Sequence, residues 1–149
     1  MMARAIEVAK YLIYLKNTDE KNGQFYSLSN LKLQKLLYYC QGGHYTWDGE
    51  RLIEDQLFEA WTYGPVIRNI YYEFKEFGQN DIEVDIDITE LDLQENELET
   101  IQAVWNQLKD FSAFNLVDST HAEAPWQEAK DSEWLYISEN SISEFFQSL

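Results

Sequence analysis

Cysteine is nearly absent. Cys40 stands alone in 149 residues, which excludes an intramolecular disulfide and any metal site built from several thiolates. Such usage suits a reducing compartment, and the expected location is cytoplasmic. Histidine is almost as scarce, at His44 and His121. A zinc site would need both rings to converge with carboxylates, and no HExxH-like spacing supports one, so no metal and no cofactor are expected. The six glycines, at 23, 42, 43, 49, 64 and 78, form neither GxGxxG nor GxxxxGK, which leaves nucleotide chemistry without support. No apolar run approaches the length of about 18 residues that a membrane span needs. The opening stretch MMARAIEVAKYLIYLK is broken by Arg4, Glu7 and Lys10, so a secretory leader is not expected either.

Positive charge is missing from the second half. Through Lys75 nine basic residues balance nine acids, but from Glu76 onward only Lys109 and Lys130 face eighteen acids, and this half carries the whole formal charge of -16. Such a field repels phosphate backbones, so direct binding to nucleic acid is not expected. It would attract a basic protein and speed its encounter. Solubility alone is the competing reason for so many acids.

What is present is apolar and ring-rich: 45% hydrophobic and 15% aromatic residues, enough for a core and for a compact single domain over residues 1–149. The periodicities predict a mainly α fold of about six helices with two or three short β-strands. Ile6, Ala9 and Ile13 make the stripe of a first helix, over 3–16. Ser29 caps a second, carrying Leu33, Leu36, Leu37, Cys40, His44 and Trp47 on one face, with Gly42 and Gly43 allowing close approach of another element. DQLFEAW reads as a short strand around 57–61, and Pro65 as the first turn of a helix running to Gly78. DIEVDIDI, 81–88, alternates apolar and acidic residues as a half-buried strand or an extended loop does. Its acids Asp81, Glu83, Asp85 and Asp87 then either protect an edge or form a contact ribbon for a basic partner. Asp92 with Glu95 resembles a capping box, Ser112 and Ser138 cap later helices, Pro125 starts a short turn, and WLYIS reads as a brief strand.

Candidate chemistry is thin. Asp118 and His121 share a helical face, where the carboxylate could orient the ring, but no nucleophile on a strand-to-helix elbow completes a triad; a hydrolase built on this pair is the least favoured reading. His44 lies on an apolar stripe, as a core imidazole does. Glu59, set among rings in FEAWTYGPV, either sits in an apolar pocket as a catalytic acid or reaches solvent or a neighbouring cation while Phe58 enters the core. The second reading is the simpler.

Three blocks in order, LKLQKLLYYCQGGH, FEAWTYGPV and LVDSTHAEAPWQEA, resemble the Panacea domain of the SocA-like antitoxins, formerly known as a phage-associated domain, over about Ala5 to Phe146. The resemblance implies a non-enzymatic antitoxin that neutralises a cognate protein toxin by direct contact, and permits a second route in which the domain delivers the toxin to a AAA+ protease. It marks Lys35, Tyr39, Glu59, Trp61, Tyr63, Pro65, Asp118, Thr120, His121, Pro125 and Trp126 as the motif core or a partner-binding set. Rings beside polar groups are the composition of an interface hot spot, and equally of a hydrogen-bonded core. Two departures from the family pattern stand out. Gly43 replaces a common aromatic, which would leave a shallow groove, and Ala124 replaces the usual glycine ahead of Pro125 and restricts the backbone there.

Overall fold

The computed structural model describes residues 3–149. In chain order it contains α1 (Ala5–Lys21), α2 (Asn30–Asp48), β1 (Glu59–Trp61), β2 (Gly64–Val66), α3 (Arg68–Glu73), α4 (Glu95–Leu108), α5 (Ala113–His121), α6 (Ala124–Asp131) and α7 (Glu139–Gln147). The mainly helical expectation holds. The strands form a two-stranded antiparallel hairpin in which Glu59 faces Val66 and Trp61 faces Gly64.

Helix α2 is the axis: α1, α4, α5, α7 and β2 all pack on it. A helix enclosed on so many sides must satisfy every polar side chain it carries, because an unpaired buried group costs about 1–3 kcal/mol. Gln41 does so by clamping Ile53, donating to its carbonyl at 3.0 Å and accepting from its N–H at 2.7 Å. Gln34 accepts from the Ile67 N–H at 2.9 Å, and His44 Nδ1 pairs with Thr100 Oγ1 at 2.7 Å, so His44 is the core imidazole expected. The close approach at Gly42 is real: a Cβ there would lie 2.4 Å from the Phe146 ring of α7. At Gly43 no groove opens, because the Trp47 ring and Val104 fill the space beside it.

Several boundaries differ from expectation for local reasons. Helix α1 runs past Lys16 to Lys21, and Lys16 is fully buried, with Nζ on the Ile82 carbonyl (3.1 Å) and paired with Glu20 and Glu83. DIEVDIDI builds no ladder. It is extended chain joined to the fold by the bridge Ser29–Asp81 and by Asn17 Nδ2 on the Val84 carbonyl. The alternation survives as burial: Ile82 is sealed while Glu83, Asp85 and Asp87 are exposed. Asp81 leaves the ribbon, its carboxylate accepting from the Leu28 N–H at 2.9 Å. Helix α4 is capped at Gln94, not Asp92, and the Gln94 N–H donates to Glu97 at 2.8 Å. WLYIS makes a single bridge, Tyr136 to Glu59, rather than a strand. Ser29, Ser112 and Ser138 cap their helices as read.

Candidate functional site

Pro65 opens no helix. It lies in β2, and Gly64, at φ 102, makes the tight return after Thr62 and Tyr63. Only glycine takes that backbone freely. A Cβ there would also meet Thr120 Oγ1 at 2.7 Å and Lys35 Cε at 2.8 Å. The hairpin is thus seated on α2 and α5 through the missing side chain of Gly64.

Lys35 passes under this seat. It is 0% exposed, and its ammonium nitrogen donates to the Pro65 carbonyl at 3.0 Å. No carboxylate faces it within ion-pair distance among the described residues. Burial therefore pulls its pKa down to about 7, since a charged amine in a low dielectric is costly.

The outward carbonyls of the hairpin loop are held from the other side. Trp126 Nε1 donates to the Trp61 carbonyl at 2.9 Å, and His121 Nε2 lies 3.0 Å from the Thr62 carbonyl. The two rings stack at 4.0 Å between centroids and 21° between planes. Thr120 is buried, its hydroxyl donating to the Val117 carbonyl, and Pro125 is buried in the first turn of α6. Asp118 is exposed and forms no hydrogen bond with His121. The expected Asp–His pair is not assembled: their common helical face points the carboxylate outward while the ring is drawn to the hairpin.

Glu59 reaches the neighbouring cation, which is Arg68. Its carboxylate is 4% exposed and takes a two-point contact from the guanidinium, at 2.9 and 2.8 Å, and a third bond from Trp61 Nε1 at 2.9 Å. Burial pushes its pKa up, but the Arg68 and Trp61 bonds outweigh that and hold it below the usual range. A carboxyl kept ionised in this way is not poised to donate a proton at neutral pH.

The motif residue Tyr39 belongs to a hydrogen-bonded cluster that the sequence did not show as one. Glu123, with burial raising its pKa, accepts from Tyr38 (2.9 Å), Tyr39 (2.8 Å) and Ser119 (3.3 Å). Burial and the same carboxylate drive both phenols upward, so they remain neutral donors. Arg68 was missed because its partner lies across the hairpin, nine positions away, where no helical spacing connects them. Phe114 was missed as well; it meets Tyr63 edge-on at 6.2 Å, and both rings are exposed. No helix among the described residues is long and apolar enough to cross a membrane, and no group of three or more metal-ligating side chains is gathered among them.

Lys35, Glu59, Trp61, Pro65, Thr120, His121 and Trp126, drawn from three separate blocks, thus meet around one hairpin, while Tyr39 bonds Ser119 and Glu123 instead. The family model for the antitoxin SocA-like, Panacea domain matches residues 33–127. The chain belongs to this family. The matched span holds the middle block, all but the first two residues of the first block and all but the last two of the third, while α1 and α7 lie outside it. No curated protein and no solved structure matches. An antitoxin family implies a protein toxin as partner.

Proposed function

We propose that this Panacea protein neutralises its toxin by direct binding, as a rigid platform without chemistry of its own. The observation that supports this reading is how the motif's reactive groups are used. Lys35 is sealed beneath Pro65, Glu59 is ion-paired to Arg68, and His121 is stacked and bound to a backbone carbonyl. These bonds fix the hairpin, and the rings of Tyr63 and Phe114 stand free at its edge. The acidic second half supplies the field that draws in a basic partner.

Co-expression with the product of each flanking gene tests the reading. Growth should be rescued from one of them, and the two proteins should elute together. Absence of both effects with every flanking product overturns it. Toxin half-life separates blocking from promoted degradation: blocking leaves it unchanged in a protease-proficient strain.

A further inference from the structure

A groove of about 970 Å³ runs alongside the hairpin, between the start of α2 and the start of α5. Its rings are arranged in two pairs. Trp61 and Tyr71 meet at 5.1 Å and are half-buried in the lining. Tyr63 and Phe114, also in the lining, are 58% and 62% exposed. Rigid rings that reach solvent around a concave floor are the feature that dominates binding energy at interfaces, because they bury large area with little loss of rotamer freedom. None of these four rings is needed to close the main core, where Trp105, Tyr38 and Phe58 are sealed.

The charges around the groove choose its occupant. Asp81 lines one end, and Asp81 and Asp110 both act on the buried ammonium of Lys32, whose nitrogen is bound to the Lys109 carbonyl at 2.6 Å. Asp110, Asp118, Asp131 and Glu133 are exposed within four residues, along the chain, of the lining residues Ala113, Phe114 and Lys130. Lys35 lies sealed under Pro65, and Arg68, although its side chain is 47% exposed, is ion-paired by Glu59 over the Trp61 ring at 5.5 Å. Lys130 is the cation in the lining, and it sits over Trp126 at 5.9 Å. Apolar floor with acidic surroundings fits a segment bearing an aromatic or aliphatic anchor with lysine or arginine beside it.

We infer that this groove is the toxin-docking site, and that it takes an apolar-anchored, basic segment of the toxin. The inference rests on the direct-binding reading above and adds to it the surface and the chemistry of the contact. Tyr63 and Phe114 hold the anchor, and the bordering carboxylates set the approach and the salt dependence of association.

The test uses the full chain and short overlapping peptides covering the products of the flanking genes, with intact flanking products as the second probe. Peptides that bind should contain a large apolar residue beside lysine or arginine, and binding should weaken as salt rises. The double substitution Tyr63→Ala with Phe114→Ala should weaken binding on the order of 100-fold and abolish growth rescue, with an unchanged urea midpoint. Tyr63→Lys with Phe114→Lys, which keeps long side chains but reverses the chemistry, should do the same. Wild-type affinity in both double variants, or selection of acidic peptides, overturns the docking site while leaving direct binding intact. Failure of the unsubstituted protein to bind or rescue against any flanking product removes the direct-binding reading itself, and the groove assignment with it.

Discussion

Replacing Lys35 by methionine should make the protein's stability less dependent on pH, and the structure fixes where. Folded Lys35 has a pKa near 7 against 10.5 for the ordinary side chain. Between those values the unfolded chain binds more protons than the folded one, so this lysine makes wild-type stability rise with pH. Below pH 7 its full burial cost is present; above pH 10.5 the cost is gone. At about 1.4 kcal/mol per pH unit, the difference between wild type and Lys35→Met should move by on the order of 4 kcal/mol from pH 7 to pH 10. Methionine keeps the chain that packs beside Gly64 but cannot donate to the buried Pro65 carbonyl, a pH-independent loss of about 1–3 kcal/mol. The variant should therefore compare best with wild type at pH 7 and worst at pH 10. Other buried groups shift too. Lys32 is lowered, and Tyr38 and Tyr39 are raised, but they are common to both proteins and cancel in the difference. Urea unfolding of both proteins at pH 7, 8, 9 and 10 measures it. Parallel stability curves would show that Lys35 keeps its charge in the fold and would refute the reasoning.

Four further substitutions probe the same frame. Gly64→Ala should cost about 2–5 kcal/mol, combining a left-handed backbone penalty with a collision against Thr120 and Lys35, and a urea midpoint within error of wild type would contradict the seat described for the hairpin. Gly42→Ala gains about 1 kcal/mol of helix propensity but drives a methyl into the Phe146 ring, so calorimetry should show a lowered Tm; a raised one means α7 yields freely. Arg68→Ala strips Glu59 of its cation. Glu59 is held low in the wild-type fold, so its contribution is present above the unfolded pKa and fades as pH falls through the folded one; the variant should be clearly weaker at pH 7, with the gap closing below about pH 4. Asp118→Asn removes an exposed carboxylate with no bond to His121, and its stability should stay within about 0.5 kcal/mol of wild type by urea titration.

Much of the fold was legible because its signals are local. Ser29, Ser112 and Ser138 announce helix starts by offering an oxygen to an N–H three residues on, a contact that depends on nothing distant. The 3.6-residue stripe of α2 predicted its burial, although not that it would be enclosed on several sides, since a stripe shows which face is apolar and not how many neighbours will cover the rest. The errors fall where a local pattern met a distant partner. Pro65 carries a signal that fits a helix start or an edge strand equally, and the seat of Gly64 on Lys35 and Thr120 settles it as strand. The alternation of 81–88 reports one face in and one face out, but a ladder needs a neighbouring strand, and here α1 supplies Lys16 and Asn17 instead.

The candidate site divides in the same way. Three blocks of residues are marked by resemblance, and Glu59 is expected to reach either solvent or a neighbouring cation. That the cation is Arg68, that His121 turns from Asp118 to the Thr62 carbonyl, and that Phe114 completes a ring pair with Tyr63 depend on which elements pack together. Sequence by itself determined most of the helices, the serine caps Ser29, Ser112 and Ser138, and the charge asymmetry. Only the tertiary structure decided that the reactive motif residues are bound inward and the rings left outward. Hydrogen bonds and ion pairs are made across space, between groups whose separation along the chain carries no trace of their meeting.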